Sequence, residues 1–142
     1  MKIYIASSWK HQHAVEMLTW LLRDAGHEVH SFAENEPENN PNWSGREMKG
    51  DMQVPFDAWV WTTEGERCFK FDTEGATKSD LVVYIGPSGC DAWSEVGAAW
   101  SLGIPIIGLW AKGEQVGLMR RMVHWRVNYR QVLETVESYA HE

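Results

Sequence analysis

The sequence predicts a doubly wound α/β domain built on a parallel five-stranded sheet, and three observations carry that prediction. A strand, a helix and a second strand occupy the first stretch of about thirty residues, the signature of a βαβ unit. "LVVYIG" (81–86) is an unbroken apolar run, the mark of a strand covered on both faces. From there onward strand-like and helix-like segments alternate, the pattern of α/β layering.

Taken in order, "KIYIA" (2–6) is a short strand followed by the polar loop "SSWKHQH". From His13 to Ala25, Val15, Leu18, Leu22 and Ala25 recur at helical spacing, and Gly26 stands where left-handed backbone closes a helix. "HEVHSF" (27–32) is the second strand, parallel to the first because the helix carries the chain back. Residues 33–65 are polar and turn-rich, then aromatic without a clear period, and are expected to form a long excursion with one short helix. Within it Trp43, Trp59 and Trp61 would either offer a flat face to a base or pack beneath the loop, packing being the simpler account.

"FKFDTEGATKSD" (69–80) is expected to be a short helix or turn before the third strand, 81–86. The loop "PSGCD" follows, then a helix over 92–102 with Trp93, Val96, Ala99 and Trp100 along one stripe, ended by Gly103. "IPIIGLW" (104–110) is the fourth strand, "VGLMRRMV" (116–123) a helix, "HWRV" (124–127) the fifth strand and "YRQVLETVESYA" (129–140) a closing amphipathic helix. With no internal repeat, one domain spanning 1–142 is expected. The matching architecture is flavodoxin-like, with strand order 2-1-3-4-5. Its crevice lies between the carboxyl ends of the first and third strands, where the winding reverses. Those ends are the loops "SSWKH" and "PSGCD".

Bulk properties narrow the partners. Thirteen basic against twenty acidic residues give a net charge of −7, which disfavours a nucleic-acid polymer as ligand. The opening has too short an apolar run for a signal peptide, and no window reaches the ~20 apolar residues of a membrane span, so no membrane partner and a cytoplasmic location are expected. Cys68 and Cys90 match neither a disulfide framework nor a zinc spacing, which suits a reducing compartment, and no metal site is expected. His11 and His13 read as surface histidines, and Arg120 with Arg121 as a solvated helix face. Nine tryptophans point to core and subunit-interface packing, hence to a homodimer or larger homo-oligomer.

Glu95 stands out. It falls near the start of the helix after "PSGCD", at the edge of the crevice. Acidic residues in a first turn stabilise a helix by about 0.3–1 kcal/mol against its macrodipole, which alone would account for it. Two neighbours argue for more: Gly97, Ala98 and Ala99 are small, as if the helix lay close against backbone, while Ser88 and Gly89 can present N–H groups to a ligand. A carboxylate beside a Gly/Ser loop at a switch point serves as a nucleophile or a ribose-binding group. Near a helix N-terminus it should stay ionised, with Asp91 the better candidate for the helix cap.

The run "DLVVYIGPSGCDAWSEVGAAWSLGIPIIGL", with "KIYIASSW" and "FxxD…SDLVVYI" before it, resembles the nucleoside 2-deoxyribosyltransferases and their nucleotide N-hydrolase relatives. The resemblance implies that Glu95 attacks the anomeric carbon of a nucleoside. It implies that Asp72 helps hold the sugar or protonate the leaving base, with Asp91 the other acidic candidate. Ser7, Ser8 and Trp9 would face base and sugar, and Gly86, Ser88, Gly89 and Asp91 would line the loop that contacts the substrate, including a 5′-phosphate in the nucleotide-hydrolysing relatives. It implies a small nucleoside or nucleotide as substrate, no cofactor and an oligomer. The loop here reads "PSGCDAWSE" where the transferases often carry "Asp-Gly" or "Asp-x-Gly-Thr", so base and sugar preference are not legible. The chemistry suits the residues: an oxocarbenium-like state is stabilised by a carboxylate below the ring while a second group assists the departing base. Three alternatives stay open: a Toll/interleukin-receptor-like NAD-cleaving enzyme, a catalytically silent nucleotide-binding or scaffold protein, and catalysis by Cys90 at its helix N-terminus.

Overall fold

The computed structural model describes residues 1–34 and 60–142. Five parallel strands form one sheet in the order β2-β1-β3-β4-β5: β1 Lys2–Ala6, β2 Glu28–Ser31, β3 Leu81–Ile85, β4 Ile106–Leu109 and β5 His124–Arg126. Among the described residues four helices are bounded: α1 Gln12–Asp24, α2 Thr63–Thr77, α3 Cys90–Ser101 and α4 Tyr129–Ala140. The expected flavodoxin-like topology is the observed one.

Side-chain alternation divides the core into two layers. Ile3 and Ile5 of β1, with Leu81, Val83 and Ile85 of β3, meet Val15, Leu18 and Leu22 of α1 and Val132 and Val136 of α4. On the other face Tyr4, Ala6, Val82 and Tyr84 meet Ala76 of α2 and Ala92, Val96 and Ala99 of α3. Each fully buried aliphatic side chain contributes about 1.5–3 kcal/mol relative to exposure, so β3, buried along its whole length, anchors both layers. Gly26 at φ +93° and Gly103 at φ +78° close α1 and α3 as expected, in backbone that a Cβ disfavours.

Four expectations are corrected. Residues 63–77 form a helix of fifteen residues, longer than the short helix or turn expected over 69–80, opened by Thr62, whose hydroxyl accepts from the Gly65 amide at 3.1 Å. Its described buried residues are only Gly65, Gly75 and Ala76, so it has no apolar stripe to betray it. The expected helix over 116–123 is a 3₁₀ turn, Leu118–Met122. Trp100 is 56 % exposed and so leaves the predicted stripe, and nothing approaches a Cβ built on Gly97. On α2, by contrast, Gly75 permits a close approach, because a Cβ there would lie 2.5 Å from the Tyr4 ring. Trp61 is 86 % exposed, whereas Trp43 and Trp59 lie outside the described residues. Among the described residues no helix is long and apolar enough to cross a membrane.

Candidate active site

The carboxyl ends of β1 and β3 are joined by hydroxyl hydrogen bonds. Ser7 Oγ donates to the Ile85 carbonyl at 2.9 Å and lies 3.3 Å from Ser88 Oγ, which donates to the same carbonyl at 2.7 Å. His11, expected on the open surface, hydrogen-bonds the Pro87 carbonyl through Nε2, while His13 is exposed. The Gly86–Pro87 peptide is cis. Ser8 Oγ is buried without a hydrogen-bond partner among the described residues. Trp9 turns partly inward, its ring 5.3 Å from Phe32 and nearly perpendicular to it. The two predicted loops therefore meet through Ser7 and Ser88 at the carboxyl ends of β1 and β3.

Gly89 caps α3 and makes no side-chain cap bond; Asp91, expected to be the cap, lies in the first turn with its side chain exposed. The first-turn amides therefore gain no side-chain acceptor from the cap, and the helix end is favourable to negative charge. Because Cys90 already opens the helix, Glu95 sits beyond the first turn, where the macrodipole is weak.

Glu95 is held from the sheet. The Tyr4 hydroxyl, on a fully buried ring in β1, donates to Glu95 Oε2 at 2.7 Å. Burial, followed by the charges of Glu95 and Asp72, keeps the Tyr4 hydroxyl protonated far above its usual range, so it remains a donor. Asp72 reaches the same region from α2, the helix that Gly75 lets settle on the Tyr4 ring, and its Oδ1 is buried without a hydrogen-bond partner among the described residues.

The expectation that Glu95 stays ionised is corrected. Burial first, then the charge of Asp72, pushes its carboxyl up to about 8, against the opposing pull of the Tyr4 hydrogen bond; Asp91 adds a smaller rise. Burial, then Asp91, raises Asp72 to about 7, with Arg67 opposing. Near neutral pH the two carboxyls thus retain a proton between them. Tyr4 favours negative charge on Glu95, and Asp72 Oδ1 has no such donor. Glu95, raised further than Asp72, holds that proton more often, so a charged Glu95 beside a protonated Asp72 is the minority arrangement of the pair.

Tyr4 was not among the expected site residues, although a tyrosine inside a strand buried on both faces must find a partner for its hydroxyl. The same reasoning applies to Tyr84 on β3. Its hydroxyl donates to Glu114, 3.0 and 2.9 Å from the two carboxylate oxygens, and accepts the Ser88 amide at 3.0 Å. Arg120, expected on a solvated face, instead lies with Nε 3.5 Å from Glu114 Oε1 and its guanidinium 4.1 Å over the Trp93 ring. Arg121 is exposed as expected.

The remaining features lie apart from this chemistry. The Cys90 thiol is exposed. Among the described residues no cluster of three or more His, Cys, Asp or Glu is arranged to hold a metal ion. An open polar groove on the edge strand, lined by Trp125, Arg126 and Thr135 among others, already has its guanidinium bonded to Thr135 Oγ and the Trp125 carbonyl.

No family model and no curated protein matches the sequence. Solved structures do. A 2-deoxyribosyltransferase from Bacillus psychrosaccharolyticus is 24% identical over 93% of this chain and 90% of its own, with a TM-score of 0.65. The CMP N-glycosidase BcmB of Clostridium botulinum is 21% identical over 98% of this chain and 100% of its own, with a TM-score of 0.58. At these identities the likeness establishes a common architecture, and the chain has the fold of both enzymes over nearly its whole length.

Proposed function

We propose that the chain is a member of the nucleoside 2-deoxyribosyltransferase-like family and breaks the N-glycosidic bond of a nucleoside, deoxynucleoside or 5′-monophosphate. The Glu95 carboxylate attacks the anomeric carbon, the C–N bond breaks with its electron pair moving to the base, and Asp72 supplies the proton that the base takes up. Water or a second base then attacks the same carbon and frees Glu95, giving hydrolysis or transfer. The observation that carries this reading is the Tyr4-held carboxylate of Glu95, with Asp72 close enough to raise its pKa, at the switch-point crevice. The two fold neighbours, one named for deoxyribosyl transfer and one for CMP N-glycosidase activity, support the reaction class.

The raised Glu95 carboxyl favours a second reading, a binder whose neutral Glu95 holds a ribose hydroxyl without turnover. The test is chromatography of free base released from 2′-deoxynucleosides, nucleoside 5′-monophosphates including CMP, and NAD, each with and without an acceptor base. Release by the parent that vanishes in Glu95→Ala is expected; release only from NAD would favour the NAD-cleaving alternative. Nucleoside binding with no release from any substrate would leave the silent binder as the correct account.

A further inference from the structure

A second polar assembly, which the proposed chemistry does not use, gathers around Tyr84 of β3. The Glu114 side chain is 3 % exposed, yet both of its oxygens are within 3.0 Å of one hydroxyl, that of Tyr84. A carboxylate can only accept, so the Tyr84 proton is directed at Glu114 and the lone pairs of the same oxygen are left for the Ser88 N–H at 3.0 Å. Space is as restricted as bonding: a Cβ at Gly86 would collide with the Glu114 carboxylate and lie 2.7 Å from the Tyr84 ring. Arg120 closes the assembly, facing Glu114 and stacked on Trp93, while Trp125 Nε1 donates to the Arg120 carbonyl at 3.1 Å.

We infer that Tyr84 and Glu114 are positioning residues for substrate: Glu114 fixes the direction of the Tyr84 hydroxyl, which holds the Ser88 amide and so sets the Gly86–Gly89 loop against the crevice. The inference rests on the reading of that crevice as a nucleoside site. Neither residue reaches the reacting atoms. Their role is to keep the loop in the shape that receives the substrate before it arrives, which lowers the ordering cost of binding. The bond matters more than the charge, because an amide at position 114 can still accept from Tyr84.

The test compares the parent with Tyr84→Phe, Glu114→Gln and Glu114→Ala, each checked for cooperative unfolding. The first readout is exchange of the Ser88 amide proton by NMR. It should speed up by about tenfold in Tyr84→Phe and Glu114→Ala, the loss of one hydrogen bond, and stay within about threefold of the parent in Glu114→Gln. The second is base release: KM should rise by about tenfold in the first two variants with kcat within about twofold, the pattern of lost uniform binding. Unchanged Ser88 exchange in Tyr84→Phe overturns the inference, as does a fall in kcat at constant KM. A Glu114→Gln variant as impaired as Glu114→Ala also overturns it, because the pairing with Arg120 would then be what matters. If the parent releases no base, the glycosidic reading fails by itself. The inference is then decided by Ser88 exchange together with the Kd for 2′-deoxycytidine and CMP, and a Kd unmoved in Tyr84→Phe overturns it. If Glu114→Ala does not fold, Tyr84→Phe and Glu114→Gln decide the same question.

Discussion

Two tyrosine–glutamate pairs rise from the same face of the sheet, and they differ in what stands behind the carboxylate. Tyr4 of β1 donates to Glu95 at 2.7 Å, and Tyr84 of β3 donates to Glu114 at 2.9 Å. Glu114 faces the Arg120 guanidinium, which itself rests on an indole. Glu95 has acidic neighbours instead: burial first, then the charge of Asp72 and to a smaller extent that of Asp91, push its carboxyl up in pKa. A buried carboxylate that has a cation and a hydroxyl is compensated and holds structure in place. One that has a hydroxyl but acidic neighbours is left reactive, and its strain is maintained by the fold around it.

The largest effect that would break this contrast is on turnover. Glu95→Gln keeps an acceptor for Tyr4 but removes the nucleophile, and base release is expected to fall by about a thousandfold or more. The same change at Glu114 should leave kcat within about twofold. Equal losses in the two variants, measured as kcat for one substrate, would mean that both pairs serve the same role.

Stability against pH should separate the pairs next. A carboxyl whose folded pKa lies above its unfolded value destabilises the fold only when charged. That penalty is absent at acid pH, below the ordinary carboxylate range, and grows as pH rises toward about 8 for Glu95 and about 7 for Asp72. Urea unfolding of the parent and of Glu95→Gln at pH 5 and pH 9 should therefore diverge, the variant gaining roughly 2 kcal/mol relative to the parent at the higher pH. Parallel behaviour of the two proteins would show that Glu95 titrates in the fold as it does in the unfolded chain.

Gly75→Ala tests the packing on which Glu95 depends. The added methyl would meet the Tyr4 ring at 2.5 Å, and overpacking of this kind costs about 1–3 kcal/mol. A lower Tm together with weakened base release is expected. A lower Tm with unchanged release would separate the seating of α2 from the site.

The parts of the molecule that were legible are those whose signal is local. β3 shows itself as an apolar run, α1 by its spacing and its terminal glycine, and the crevice follows from strand order alone. Glu95 was conspicuous as a carboxylate set among small and apolar residues. The full length of α2 was not legible because it packs through two glycines and an alanine, which leave no periodic stripe. Arg120 looked solvated because its partners Glu114 and Trp93 come from other loops and helices, and adjacency in sequence with Arg121 suggested a shared exposed face. Tyr4 and Tyr84 carried the usable clue, a phenol inside a strand with no water to satisfy it, and the hydroxyl of each leads to a glutamate.

Tyr4→Phe sharpens the comparison with the smallest change, one oxygen atom. The Tyr4 hydroxyl favours the charged form of Glu95 and opposes burial and the charge of Asp72, so its removal should drive the Glu95 carboxyl further up. Fewer molecules then carry the carboxylate at neutral pH, and kcat/KM at pH 7 should fall by about tenfold. The loss relative to the parent should be largely recovered by pH 9, where the Glu95 carboxyl ionises in both proteins, even though release by both declines there as Asp72 gives up its proton. The kcat/KM profile reports the Glu95–Asp72 pair as a unit, which is why the ratio of variant to parent across pH and not an assigned residue value is the quantity to measure. A uniform loss at every pH would place the Tyr4 hydroxyl in contact with substrate instead. No loss at all would mean that Glu95 is held by the walls of its helix, and that the two tyrosine–glutamate pairs are alike only in appearance.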